Sequence, residues 1–240
     1  MKTTASSSHR GFTLLETVIA IGVLAVLLTG FMVVFAPAAD GIRKSINVQQ
    51  ADRMASALEQ ELVTLRGTTE TTQYKTGFNK SFEWIKSGNG ATDALLVYQY
   101  RGKISSLRPD DNTPEPEPSL TGKLPGEDYV VVPMVRRRSD TKLADDLKAV
   151  EGAVYLVKCT QLIFSGGQLI TNTTPKTIKD PKTGTDAASA DVYPEAVIAF
   201  SAEFHMLPTK TASYISGGAF TTKFGNVKNP VFTRNLAVRR

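Results

Sequence analysis

The sequence predicts an α+β fold in which one long N-terminal helix packs on an antiparallel β-sheet, an α+β roll. Residues 17–36 carry no charge and are almost all apolar. Beyond them, apolar residues recur at helical spacing to about residue 65. The later strand-like segments have no regular helical crossovers between them, which is typical of antiparallel sheets. With 240 residues, 41% of them hydrophobic, the chain suits one membrane helix and one globular domain.

The uncharged run is long enough to cross a membrane. Twenty helical residues (36 − 17 + 1) rise about 30 Å, the thickness of the hydrocarbon core of a bilayer. The apolar region of an ordinary secretory signal is shorter, about 7–15 residues. Glu16 lies immediately before this run. An ionised side chain costs roughly 2.5–3.5 kcal/mol at the centre of a bilayer, so a carboxylate at this position requires a physical reason.

The segment before the run, residues 11–16, reads Gly-Phe-Thr-Leu-Leu-Glu and follows a short stretch containing Lys2 and Arg10. This combination resembles the cleavage and methylation signature of type IV prepilins and type II secretion pseudopilins, over roughly the first 55 residues. The resemblance implies a leader peptide at residues 1–11 that is cut after Gly11. It also implies that Phe12 becomes the N-methylated first residue, and that Glu16 is retained inside the filament.

Elementary chemistry gives Glu16 a role within this scheme. Gly11 has no Cβ, so a protease can approach the backbone closely. Cleavage frees a cationic α-amine, and Glu16 lies one helical turn away, roughly 6 Å along the axis. In a stack of subunits, the amine of one can meet Glu16 of its neighbour. Because such a pair is desolvated, it sets register more than it adds stability. We therefore predict that Glu16 is an assembly-register residue.

The resemblance also implies partners, a location and a division of the chain. The partners are a prepilin peptidase/N-methyltransferase, other pilin or pseudopilin subunits, an inner-membrane assembly platform and membrane lipid. The predicted parts are the leader 1–11, a transmembrane or filament-core helix 12–39, its amphipathic continuation 40–66 and a β-rich domain 67–240. The chain would cross the inner membrane once, with a cytoplasmic N-terminus and a periplasmic domain, before it enters a filament.

Two features inside the helix have more than one interpretation. Gly22, Ala25 and Thr29 are small residues at spacings that let helices approach closely, although small residues are in any case common in membrane helices. Pro37 removes a backbone donor, and Gly41 follows it, so we expect a kink or a short unwound patch at 37–41.

The amphipathic part of the helix is predicted to bury one stripe of apolar side chains and to end at Gly67. The stripe comprises Ile42, Ile46, Met54, Leu58, Leu62 and Leu65.

The rest of the chain is predicted as strands separated by polar segments. Residues 68–92 suggest irregular structure with a short helix at 80–86, and 171–194 a polar loop. Residues 108–127 contain five prolines and are predicted to be a solvated loop outside the core. Pro133 indicates an edge strand or a bulge. Gly217 and Gly218 indicate a turn. The predicted strands are 94–100, 129–135, 154–164, 196–206 and 230–238.

Two charged segments could make contacts. The acidic, proline-rich stretch 108–118 could recruit a cation or a basic partner, and Arg136–Arg138 could bind phosphate or an acidic surface. The simpler interpretation is a solubilising loop and a solvated turn. In that interpretation the arginines face nearby acids, namely Asp140, Asp145 and Asp146.

Catalytic and metal-binding signals are weak, and we predict no enzyme and no cofactor. Cys159 is the single cysteine, which we expect to be a buried, inert thiol. It leaves no partner for the disulfide that many type IV pilins carry, which favours a pseudopilin or a minor pilin. His9 and His205 are the two histidines; the latter is predicted to be structural. Three aspartates of the 171–194 loop match a calcium-binding pattern poorly: Asp180, Asp186 and Asp191.

Three functions remain open. The first is a filament subunit, a pseudopilin or minor pilin, which is the one we predict. The second is a tip or binding protein on a pilin scaffold that engages a surface, DNA or a secreted substrate. The third is a membrane-anchored enzyme whose N-terminus matches the signature by chance. Without the leader the net charge would be 5 − 2 = +3, too small an excess to indicate a nucleic-acid-binding surface.

Overall fold

The computed structural model describes residues 13–240, with the exception of the side chain of Ala36. The chain divides after Asn47 into two compact units. The first helix, α1 (Leu14–Val63), has residues in both units.

In the first unit, α1 is long and apolar enough to cross a membrane, judged by length and composition. Its large apolar side chains from Leu14 to Phe35 are exposed. The helix is unbroken at Pro37 and Gly41, so the unwound patch that the sequence suggested is absent. A bend at these residues stays a prediction.

In the second unit, α1 buries the apolar stripe from Ala51 to Leu62, as the spacing predicts. Ile42 and Ile46, which the sequence placed on the same stripe, are exposed. The helix ends at Val63 and not at Gly67, which instead begins α2 (Gly67–Gln73). Gly67 has φ +59°, and a Cβ there would lie 1.6 Å from the carbonyl oxygen of Asp110, so only glycine fits.

The short helix predicted at 80–86 is confirmed as part of a twelve-residue helix, α3 (Gly77–Gly88). The irregular structure predicted for the rest of 68–92 is wrong where α2 lies. The Thr76 side chain caps α3 by accepting a hydrogen bond from Asn79 N. Phe78, Phe82 and Ile85 recur at helical spacing and are buried. Burial of this face outweighs the weak helix propensity of the Thr, Gly and Asn residues around it.

The described strands form one seven-stranded antiparallel sheet. Its central order is β2-β1-β4-β6-β7, while β3 pairs with β1 and β5 with β4. All five predicted strands are present. Pro133 lies in β3, whose strand partner is β1 alone, as expected of an edge strand. The bounds are β1 Leu95–Leu107, β2 Pro114–Pro116, β3 Tyr129–Arg137, β4 Val150–Ser165, β5 Gln168–Thr171, β6 Val197–Met206 and β7 Phe232–Arg239.

Residues 108–127 form the predicted solvated loop only in their second half, since residues 118–127 are exposed. Pro114–Pro116 adds a short strand to β1, opposite Leu107 and Gly102. Near this strand two buried side chains pair with charges from distant parts of the chain: Arg108 pairs with Asp146, and Asp111 with Arg136.

Side chains cover both faces of the sheet, whereas the sequence predicted only the long helix packed against it. Alternate residues of β1 point to opposite faces: Leu95 and Val97 join α1 and α3, while Leu96 and Tyr98 join a second core. Three short helices and a 3₁₀ turn cover this second face, with Gly217 joining α5 to α6 where a simple turn was expected. Their bounds are α4 Leu143–Asp146, the 3₁₀ turn Leu147–Ala149, α5 Ala212–Ser216 and α6 Gly218–Phe224.

Candidate functional site

Thr13 and Glu16 form a reciprocal cap at the start of α1. The Thr13 backbone N donates to Glu16 Oε2 at 3.0 Å, and the Thr13 hydroxyl donates to the same oxygen at 3.0 Å. In return, Glu16 N donates to Thr13 Oγ1 at 3.2 Å. This is a capping box, whose Thr-x-x-Glu pattern was present in the sequence and was overlooked.

The cap gives the Glu16 carboxylate partners within its own chain. Its two donors and the positive end of the helix dipole both favour a negative charge at this position. The peptide N–H of Thr13 belongs to the bond that joins it to Phe12, so cleavage after Gly11 would leave the cap in place. Gly11 and Phe12 themselves lie outside the described residues. The pairing of Glu16 with a neighbouring amine stays a prediction.

The three small residues of the helix are exposed along α1. A Cβ on Gly22 would meet nothing within 4 Å. The Thr29 hydroxyl donates to Ala25 O at 2.8 Å, so it is satisfied inside its own helix. A close approach of another helix at Gly22, Ala25 and Thr29 stays a prediction.

The surface of α1 between residues 18 and 35 is almost entirely apolar on all sides. Phe31 and Phe35 stack on each other with ring centroids 3.9 Å apart, and the aliphatic side chains around them are exposed. A helix that is apolar all round belongs in lipid or among other helices. The described geometry at this end of the chain is therefore a capped carboxylate at the entrance of a lipid-compatible helix.

Comparison with family models matched residues 6–32 to the prokaryotic N-terminal methylation motif. The chain carries a prepilin-type N-terminus. The motif is characteristic of type IV prepilins and pseudopilins, and it supports a subunit of that type. It implies processing by a prepilin peptidase and assembly with other pilin subunits, and with the apolar helix it fits an inner-membrane-anchored pilin. Neither the curated proteins nor the solved structures gave a match.

In the domain of this prepilin-type chain, the three arginines have separate environments. Arg136 is buried and pairs with Asp146 at 2.6 Å, Asp140 at 2.9 Å and Asp111 at 3.2 Å. Arg138 lies over the Phe220 ring and donates to backbone carbonyls, among them Ile215 O at 2.6 Å. Arg136 therefore faces Asp140 and Asp146, as the sequence predicted, but it is buried, so the predicted solvated turn is wrong at this residue.

The buried charges around Arg136 form one network. Asp146 accepts from Tyr98 Oη at 2.6 Å and from Arg108 Nη2 at 2.7 Å, besides its pair with Arg136. Burial raises the pKa of Tyr98 well above its usual value, and the Asp146 charge adds to the rise. Burial alone would also raise the pKa of Asp111. Hydrogen bonds from Thr113 and Lys142 and the charge of Arg136 outweigh it, so this pKa lies well below its usual value.

The acids of the proline-rich segment are largely used inside the domain. Asp110 pairs with Lys142 at 2.6 Å, and Glu117 is buried. The Glu115 carboxylate lies 3.5 Å from Lys103 Nζ on the adjacent strand. The segment therefore serves the fold first, which weakens its interpretation as a free acidic patch.

The other residues considered as binding or catalytic candidates lie in surroundings that indicate a structural role. Asp180 accepts from Lys182 N at 2.7 Å, and Asp191 pairs with Lys75 at 3.1 Å. Within residues 13–240, no three His, Cys, Asp or Glu side chains are grouped to hold a metal. Cys159 is buried as predicted, and burial raises its pKa to about 12. His205 is also buried, with its Nε2 3.4 Å from Glu203 Oε2.

Proposed function

We propose that this chain is a filament subunit, a pseudopilin of a type II secretion-like machine or a minor pilin of a type IV pilus. The methylation motif at residues 6–32 carries the proposal. The prepilin peptidase cuts between Gly11 and Phe12 and methylates the new N-terminus. The mature subunit stays in the inner membrane with its domain in the periplasm. There it contacts lipid and the assembly platform, and it then enters a filament through α1.

Three features of the described residues support this function. The apolar surface of α1 suits lipid before assembly and neighbouring helices afterwards. The capping box holds the Glu16 carboxylate at the start of the helix, four residues along the chain from the N-terminus that cleavage after Gly11 would create. The single cysteine is buried, so the domain holds its shape by packing and ion pairs and not by a disulfide.

Substitution of Glu16 by valine tests the proposal in a cell that assembles the filament. We expect Glu16→Val to be inserted and cleaved like the parent chain, but to be missing from the sheared filament fraction. Asp40→Val is the matched control, since it removes a carboxylate from the same helix outside the motif. Incorporation of Glu16→Val at the parent level would contradict the assembly role.

The second candidate is a binding protein on the same scaffold. A cleft in the domain, described below, is the observation that favours it. The two functions share the processing site and differ in what the domain contacts. A membrane-anchored enzyme has the least support, because the motif indicates a structural protein of the pilin type.

A further inference from the structure

A cleft of about 290 Å³ opens in the globular domain between α1, α2 and β3. It lies on the side of the domain where α1 ends, and the indole of Trp84 forms part of its wall. The volume is at the small end of the range for ligand pockets, which suits a single side chain or a small organic acid. Nothing in the proposed filament function uses this cleft.

The carboxylates on the helical side of the cleft are already paired. Glu61 pairs with Arg66 at 2.7 Å and with the buried Lys80 at 2.8 Å. Glu70 pairs with the same lysine at 2.8 Å and also accepts from the backbone N of Arg66. These acids have no free charge to offer a cationic ligand.

The carboxylates on the strand side are paired as well. Asp111 and Asp140 both pair with Arg136, and Asp110 pairs with Lys142 at 2.6 Å. Each acid that lines the described cleft thus has at least one cation of the chain within 4 Å, although Asp111 and Asp140 share Arg136, and Asp110 and Asp111 share Lys142. The one charged side chain of the described lining that forms no ion pair is cationic.

That charge belongs to Arg137, the last residue of β3. Among residues 13–240 no carboxylate lies within 4 Å of its guanidinium, which instead lies over the Trp84 ring, 5.6 Å from the centroid. Burial raises the pKa of Tyr74 beside it, and the positive charge of Arg137 opposes that rise. Arg137 is half-buried, so part of its hydration is already lost before any ligand arrives.

Trp84 packs beside this cation in the wall of the cleft. Its side chain is 4% exposed, and its Nε1 makes no hydrogen bond of normal geometry, although the Tyr74 hydroxyl is nearby. This N–H is enclosed by protein atoms, so it is the face of the indole ring that accompanies Arg137.

We propose that this cleft binds a carboxylate group, anchored by the Arg137 guanidinium, which lies over the Trp84 ring. A guanidinium matches a carboxylate through two parallel hydrogen bonds, and it keeps its charge at every physiological pH. The carboxylate can come from a small organic acid or from an acidic residue of a peptide. The chemistry at Arg137 is the same in both cases.

The chain offers a specific readout, because Trp84 is its only tryptophan. Intrinsic fluorescence of the full-length protein in detergent micelles therefore reports on this cleft. The probes are benzoate and the peptide acetyl-Gly-Asp-Gly-amide. Their uncharged counterparts are benzamide and acetyl-Gly-Asn-Gly-amide, and inorganic phosphate tests the alternative anion.

We expect a saturable fluorescence change with at least one of the two carboxylates, with Kd in the millimolar range. The uncharged counterparts should bind at least about tenfold more weakly, as expected when a bidentate ion pair is lost. Benzoate alone would identify a small acid as the source, and the peptide alone an acidic residue. Tighter binding of phosphate, or no saturation with either carboxylate, would overturn the proposal.

Arg137→Gln should raise the Kd at least about tenfold, whereas Arg239→Gln, the same change at an exposed arginine of β7, should leave it unchanged. Circular dichroism checks that both variants are folded. A ligand-induced rise in melting temperature gives a second readout that does not depend on Trp84. Equal affinity of Arg137→Gln and the parent would contradict the assignment of the anchor.

Discussion

Thr13 and Glu16 each accept a hydrogen bond from the other's backbone N–H, at 3.2 and 3.0 Å, at the first turn of α1. The residue on which the assembly hypothesis depends therefore also has a local task. Its carboxylate caps the helix in the lone subunit, and in a filament it is predicted to meet a neighbour's amine. The two tasks can be separated, because one needs hydrogen-bond geometry and the other needs charge.

The variants Glu16→Gln and Thr13→Val separate the effect of the helix cap from the effect of the Glu16 charge. A glutamine at this position of a capping box still accepts from Thr13 N but carries no charge. Thr13→Val keeps the charge of Glu16 and removes the capping hydroxyl, at a cost of about 0.5–2 kcal/mol. If charge sets the register, Glu16→Gln should be missing from sheared filaments and Thr13→Val should be present. The reverse pattern would assign the role to the cap.

Asp146→Asn should strongly destabilise the domain. Asp146 is fully buried and compensates both Arg136 and Arg108, so its loss leaves two buried cations short of a partner. We expect a loss of about 3–5 kcal/mol in the free energy of unfolding, measured by urea denaturation of the full-length chain. Asp145→Asn is the control: it alters an exposed pair with Lys148 and should change stability by less than about 0.5 kcal/mol. Equal losses of stability in Asp146→Asn and Asp145→Asn would contradict the stabilising role of the buried network around Asp146.

Lys80→Met tests the buried charge cluster between α1, α2 and α3. Lys80 is fully buried, and its ammonium bonds Glu61, Glu70 and the carbonyl of Thr64. Removing it leaves buried carboxylates undercompensated, so we expect a loss of about 3–5 kcal/mol. Lys75→Met, which alters an exposed pair with Asp191, should be nearly neutral in the same urea titration. A stability for Lys80→Met within about 0.5 kcal/mol of the parent would contradict this role.

Stability should fall as the pH is lowered below about 6.5, partly because of His205. Burial and then the positive charge of Lys158 lower the pKa of His205, against a weaker opposing effect of Glu203. The unfolded chain therefore takes up this proton at a higher pH than the folded chain. The stabilisation is present above pH 6.5 and is lost towards the folded pKa, with a slope of at most about 1.4 kcal/mol per pH unit.

Urea titrations between pH 7.5 and 5.5 measure this slope. In His205→Gln the slope should be smaller over the same range, because the group that titrates is gone. Glu203→Gln should keep the histidine and deepen the fall, since it removes the carboxylate that favours the protonated ring. An unchanged slope in His205→Gln would assign the pH dependence elsewhere.

Cys159 should be unreactive in the folded protein. Burial raises its pKa to about 12, so little thiolate exists at neutral pH, and solvent does not reach the sulfur. We expect no labelling by iodoacetamide at pH 8 over hours, and full labelling in urea. Rapid labelling of the native chain would show that the pairing of β4 with β6 around Cys159 opens readily.

The sequence was sufficient to predict the elements that depend on local periodicity. The uncharged run predicted the exposed apolar helix, and β-branched and aromatic runs predicted the long strands. It failed where partners lie far apart in the chain. Arg136 is buried because Asp111, 25 residues earlier, and Asp146 meet it in space. The sequence placed Arg136 near Asp140 and Asp146 but gave no sign of Asp111, so it predicted a solvated turn where the arginine is buried.

The same reason explains the missed helices. α2 contains four threonines and begins with a glycine, residues of low helix propensity, but the Glu70 carboxylate pairs with Lys80 of α3. Gly67 seemed to end α1, yet its positive φ and close approach to the Asp110 carbonyl place it at the start of the next helix. The Thr13–Glu16 box, in contrast, was readable from four residues and was overlooked.

The most direct test of the account is the N-terminus of the protein as it accumulates in a cell that has a prepilin peptidase. Intact-mass and peptide mass spectrometry of the purified full-length product should give a chain that begins with N-methylated Phe12. A chain that still begins at Met1 under these conditions would contradict processing, and with it the filament role assigned to Glu16.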